Sequence, residues 1–189
     1  MSEHSNLTIL QHNVMKSRDK VMAAMLRDPN IWDYDILAIQ EPWKNPYNSA
    51  THHSCKDRFH LAYPCATGAE PARVCFFINT WLSRAHWTFQ EHTQDLVTLK
   101  VQYTEHNQTK KLYIHNIYRE ALRGDITETL DHLNSLINPD EQHLIVGDFN
   151  LHHPAWGGLA VKEDQQAEQL LTIMNEQQLS LLLPQGTVT

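Results

Sequence analysis

Apolar and polar positions alternate along the chain in short blocks whose period switches between that of a strand and that of a helix. Residues 7–13, "LTILQHN", read as a strand, and Val21, Met22, Met25 and Leu26 fall on one face of a helix from about Ser17 to Arg27, with Pro29 past its end. "DILAIQE" (35–41) is a second apolar strand ending in an acid. "RVCFFIN" (73–79), "DLVTLKVQY" (95–103) and "KKLYIHNIY" (110–118) read as further strands, the last two forming an antiparallel pair around "TEHNQT". Alternation puts Tyr113, His115 and Ile117 on one face of that last strand, and Leu112, Ile114, Asn116 and Tyr118 on the other. A second helix starts at Asp125, with Glu128 completing a capping box, and turns Leu130, Leu133, Leu136 and Ile137 inward.

"LIVG" (144–147) suits a strand buried on both faces, broken by Gly147. A third helix, about Glu163 to Gln177, buries Ala167, Leu170, Leu171 and Met174, and "LSLLLP" (179–184) reads as a closing strand. Residues 42–58 carry Pro42, Pro46 and no periodicity, and read as a long surface loop of the kind that carries function. The alternation of strands and helices is that of an α/β layer protein.

Length changes this picture little: 189 residues suit one domain with a sizeable core, and no repeat, linker or low-complexity segment divides it. The composition, 41% hydrophobic and 20% charged with no long apolar run, excludes a membrane span, and the start "MSEHSNLTIL" lacks a signal-peptide pattern. Three cysteines without CxxC spacing argue against a disulfide framework or a structural zinc site and for a reducing, intracellular compartment. A net charge of −7, from 22 acids against 15 Lys and Arg, does not advertise nucleic-acid binding. Carboxylates that hold a divalent cation would contribute to such a balance, however. The 13 histidines are scattered, paired only at 52–53 and 152–153.

Three apolar strands end in polar groups of one chemical kind: Asn13, Glu41, and Asp148 with Asn150. Each alone suits a cap or a turn. Together, as carboxylate and amide oxygens at strand ends, they suit a hard cation such as Mg²⁺, which keeps several waters and needs only one or two protein carboxylates. If the chain stays extended past Asp148, Asp148 and Asn150 point the same way. Tyr118 closes its strand as a half-buried ring with a polar tip, and Arg119 beside it is a further source of charge.

"QHNVMKS", "ILAIQEPW", "LYIHNIYRE" and "IVGDFNLHHPAWGG", in that order, resemble the endonuclease/exonuclease/phosphatase superfamily with its DNase I-like fold. The Pro-Trp after Glu41 and the "LHHPAWG" after Asn150 are most similar to the endonuclease domain of non-LTR (LINE-type) retrotransposons. The resemblance implies a four-layer α/β sandwich, two mixed β-sheets flanked by helices, with the ends at 13, 41, 118 and 148 gathered at one rim. It implies a Mg²⁺- or Mn²⁺-dependent endonuclease that nicks DNA. Asn13 and Glu41 would hold the metal, and Tyr118 would contact the scissile phosphate. Asp148 would orient and help deprotonate the attacking water, and Asn150 would hold the site or the phosphate.

Arg119, His152 and Thr187 are candidate substrate contacts. Relatives in the superfamily act on abasic DNA or phosphoinositides, so those substrates stay open. The family pattern continues past "LLLPQGTVT" into a Ser-Asp-His element that is not in this sequence. The resemblance therefore also leaves open an impaired chain that binds metal or nucleic acid, and one whose last strand, from Thr187 on, pairs with a second copy. A reverse transcriptase domain in the same polyprotein and a nuclear location follow from the same likeness.

Overall fold

The computed structural model describes residues 7–44, 51–65, 71–105, 108–121, 125–158, 161–162 and 164–187. The chain divides into two compact units, Met1–Tyr118 with His143–Asp148, and Arg119–Gln142 with Phe149–Thr189.

The first unit holds two four-stranded sheets. One has the order β1 (Ile9–Asn13), β2 (Ile36–Gln40), β4 (Val74–Asn79), β3 (Phe59–Ala62), and is mixed, with β1 and β2 parallel and the other pairs antiparallel. The other has the order β5 (Trp87–Thr93), β6 (Leu96–Glu105), β7 (Gln108–Tyr118), β8 (Gln142–Asp148). β6 and β7 are antiparallel as expected, Leu96 facing Ile117 and Glu105 facing Gln108.

β2 and β4 are buried along their whole length because both their faces are covered. Ile36, Ala38, Val74, Phe76 and Ile78 point between the sheets, where they meet Val97, Leu99, Val101 and Ile114. Leu37, Ile39, Cys75 and Phe77 point the other way, onto Met22 and Leu26. Met22 closes a π-helical turn, Arg18–Met22, that runs into α1 (Ala23–Arg27), so the helix expected over 17–27 is present and buries the face its periodicity marked. Period two thus sorts each central strand into two cores.

Several expectations change. β3 and β5 are strands the pattern did not reveal; β3 is four residues long and β5 carries polar residues on an edge. β8 is half-buried rather than covered on both faces, and among the described residues it lies at the edge of its sheet. Gln40 and Asn116, polar residues inside strands, meet in the interior, and the exposed Gln11 reaches Gln40 from β1. Gln11 Nε2 donates to Gln40 Oε1 (2.7 Å) and Gln40 Nε2 to Asn116 Oδ1 (2.6 Å), while Asn116 Nδ2 donates to the carbonyls of Ile39 and Cys75.

In the second unit, α2 (Thr127–Leu136) and α4 (Gln165–Glu176) contact each other. Gln169 and Gln177 of the α4 segment donate to Asp131 and Asn134. α2 begins later than expected: Ile126 is the cap residue, and the Asp125 carboxylate accepts from the Thr127 N–H. On α4 it is Ile173 that is buried with Ala167 and Leu170, whereas Leu171 and Met174 are only half-buried. α4 starts with Asp164 as its cap; the expected start at Glu163 lies outside the described residues.

The closing strand expected over 179–184 does not form: that stretch is irregular, and Leu181, Leu182 and Leu183 are exposed. A strand is stabilised by a hydrogen-bonded neighbour, and these residues have none among the described ones. The chain is tied instead to the short α3 (Pro154–Gly157), through Gly186 N–H to Trp156 O at 2.7 Å. Of the last strand expected from Thr187, residues 188 and 189 lie outside the described set, as do 45–50 of the long loop.

Candidate active site

Parallel pairing of β1 with β2 sets Asn13 beside Gln40, one residue before Glu41. The edge then closes through Val14 N–H to Gln40 O (3.0 Å) and Lys16 N–H to Glu41 O (2.9 Å). From the other sheet, β8 brings Asp148, whose Oδ2 accepts from Asn13 Nδ2 at 2.8 Å. The Asn13 amide oxygen accepts from the Met15 N–H, also at 2.8 Å, so the donor end of the amide faces Asp148. Two residues 135 positions apart thus meet at one rim, as the strand-end reading required.

Glu41 and Tyr118 are joined to this rim through Arg73 and Asp95. Glu41 N–H donates to Arg73 O (2.8 Å) and Tyr118 N–H to Asp95 O (3.0 Å). The Arg73 guanidinium forms a two-point ion pair with the Asp95 carboxylate and lies 5.5 Å from the centre of the Tyr118 ring. Tyr118 is almost wholly buried and sits at the end of the inter-sheet core. Arg73 and Asp95 escaped the sequence reading. Their only signal was that "RVCFFIN" and "DLVTLKVQY" open on opposite charges.

Backbone conformation concentrates here too. Met15, Lys16 and Glu41 have φ of 52°, 54° and 49°, a region L-residues enter rarely and which clusters at functional sites. Glu41 is mostly shielded, its side chain 14% exposed, and its Oε1 lies 3.2 Å from Lys16 Nζ. Among the described residues no three His, Cys, Asp or Glu side chains gather as a closed metal cage. The oxygen donors at the strand ends are the Glu41 carboxylate, beside the Lys16 ammonium, and the Asn13 amide, hydrogen-bonded to the Asp148 carboxylate. That set fits a hard ion that retains most of its water, as Mg²⁺ does, and not a thiolate–imidazole zinc site.

The second unit carries the other candidates. The chain does not stay extended after Asp148: Asn150 has φ 46°, so the two side chains do not share a strand face. Asn150 and Arg119 bind each other reciprocally, Asn150 Nδ2 to Arg119 O and Arg119 Nη1 to Asn150 O, both at 2.6 Å. Arg119 Nη1 also lies 3.6 Å from Asp164. His152 has an exposed side chain, and its carbonyl accepts from Asp164 N–H. Thr187 is exposed and turns back on Pro184 O through both its N–H and its hydroxyl.

Residues 112–189 match a family model described as endonuclease-reverse transcriptase. Among solved structures, the endonuclease domain of TRAS1, a telomere-specific non-LTR retrotransposon, superposes with a TM-score of 0.66 at 16% identity, over 96% of this chain and 75% of that one. An endonuclease/exonuclease/phosphatase family protein from Leptotrichia buccalis gives 0.55 at 12% identity, over 89% and 73%. A β-hairpin deletion mutant of β toxin from Staphylococcus aureus gives 0.52 at 14%, over 90% and 73%. No curated protein matches at the level of sequence. At these identities the likeness is one of fold.

Proposed function

We propose, from the premise that this chain has the DNase I-like fold of the endonuclease/exonuclease/phosphatase superfamily, that it is a divalent-metal-dependent phosphodiesterase that nicks DNA for a non-LTR retrotransposon. The observation that carries this reading is the Asn13–Asp148 bond, 2.8 Å, which sets an oriented carboxylate at the rim where Glu41 ends its strand. The description of the family model matched over residues 112–189 supports the endonuclease class.

Glu41 and the Asn13 amide oxygen would hold Mg²⁺ or Mn²⁺, which supplies charge stabilisation for the phosphoryl oxygens and acidifies bound water. Asp148, held through Oδ2 by Asn13, is the group to orient a water and take its proton. The Tyr118 phenol is a donor to a phosphate oxygen, its ring fixed by the core and by Arg73. In the second unit, Asn150 and Arg119 keep each other in place.

Supercoiled-plasmid nicking in Mg²⁺ tests the assignment. Asp148→Ala should lower the rate by on the order of 10²- to 10⁴-fold, the usual contribution of a positioned acid or base. Nicking that survives the substitution overturns the site, and hydrolysis of phosphoinositide with inert plasmid overturns the DNA reading.

A further inference from the structure

Glu41 already has a cation. Lys16 reaches it at two points, its ammonium 3.2 Å from Oε1 and its backbone N–H 2.9 Å from Glu41 O. That double attachment exists because Met15 and Lys16 turn left-handed immediately after β1, and Glu41 does the same after β2. Three such non-glycine residues side by side carry a backbone cost that the parallel β1–β2 pairing sustains.

The two ends of the ion pair are unlike. The Lys16 side chain is 59% exposed, whereas that of Glu41 is 14% exposed, so a solvent-exposed ammonium serves a carboxylate largely shut off from water. A shielded carboxylate needs a cation partner more than an exposed one does. Both residues line a cavity of about 320 Å³ with Trp43, Lys44 and Arg73, and Glu41 is the one acid among the described residues lining it.

We propose that Lys16 is the built-in counter-cation of Glu41, and that a divalent ion must compete with it for the carboxylate. This rests on the reading that Glu41 takes a metal. An ammonium and a divalent cation on one carboxylate repel each other within a few ångströms, so loading the ion displaces the Lys16 ammonium toward the cavity. There it is available to a phosphate oxygen, alongside Lys44. Lys16 is thus a positioning residue that holds Glu41 ready without metal and weakens metal affinity in return.

Mn²⁺ titration of the 189-residue chain, followed by the electron paramagnetic resonance signal of free Mn²⁺, tests this without any turnover. Lys16→Met should bind Mn²⁺ about two- to fivefold more tightly, the range a partly exposed ion pair is worth. Lys16→Arg should match the wild type, and Glu41→Gln should lose the site. Lys16→Gln repeats the measurement with a second neutral side chain if the methionine variant folds poorly. Equal or weaker binding in the neutral variants, with Glu41→Gln still abolishing it, overturns the role of Lys16 while the metal site stands. Unchanged binding in Glu41→Gln overturns the metal reading and this inference with it.

Discussion

A single added carbon at Gly147 would meet Ile117 O at 2.0 Å, and Gly147 has φ 148°, a conformation that other residues rarely adopt. The glycine therefore does more than interrupt an apolar run. It lets β8 lie hard against the end of β7, and so fixes where the next residue, Asp148, meets Asn13. Gly147→Ala should cost at least about 2 kcal/mol, through overpacking and backbone strain together. It should also reduce nicking beyond what the lost folded fraction explains. Urea unfolding alongside the nicking rate separates the two, and a variant as stable and active as the wild type would show that the approach is not needed.

At the scale of elements, the second sheet carries a polar ladder across all four strands. His92 Nε2 meets Thr98 Oγ1 (2.9 Å), Thr98 Oγ1 meets His115 Nδ1 (2.8 Å), and His115 Nε2 meets His143 Nδ1 (3.0 Å), three contacts that join one residue from each of β5, β6, β7 and β8. His143 also stacks on Tyr113, with ring centres 5.1 Å apart. Burial first, then the neighbouring His143 and His92, push His115 down from 6.5 to about 3. Because the folded value lies below the unfolded one, the neutral ring contributes its full stability above pH 6.5, and that contribution is lost as the pH falls toward 3. The loss is about 1.4 kcal/mol per pH unit for one such group. Between pH 7 and pH 5 the wild type should therefore lose about 2 kcal/mol more than His115→Gln, measured by urea midpoints at each pH. Parallel losses in the two proteins would exclude His115 as the cause.

At the scale of the whole first unit, the two sheets are joined at the rim by charge and behind it by amides. Arg73 and Asp95 extend the starts of β4 and β6, and each also holds a site residue through its carbonyl, Glu41 and Tyr118. Both members are largely buried, with side-chain exposures of 21% and 15%. Removing one leaves the other a shielded charge without its main partner. Arg73→Met or Asp95→Asn alone should each cost about 2 to 3 kcal/mol, and the double variant should cost clearly less than the sum. Additive costs in the double-mutant cycle would mean that the pair does not couple the sheets.

Local pattern was enough for much of the fold. Apolar runs marked "ILAIQ" and "VCFFIN" as strands, and period two in "LYIHNIY" assigned side chains to faces, Leu112, Ile114 and Tyr118 being turned between the sheets. It also marked Asn13, Glu41 and Asp148 as polar groups at strand ends, because an apolar run that stops at an acid or amide is visible without a partner. What it could not decide depends on neighbours distant in sequence. "LIVG" has the composition of a covered strand and lies at an edge, and "LSLLLP" has the composition of a strand but no neighbour to bond among the described residues. Asn116 looks like a flaw in an apolar strand until Gln40, Ile39 and Cys75 supply its partners. Nor does the chain announce that Lys16 would fold back on Glu41, since that needs three left-handed residues held by strand pairing. Alternation is written in the covalent order of side chains; pairing, strain and the meeting of charges are fixed only when strands far apart in sequence take their register.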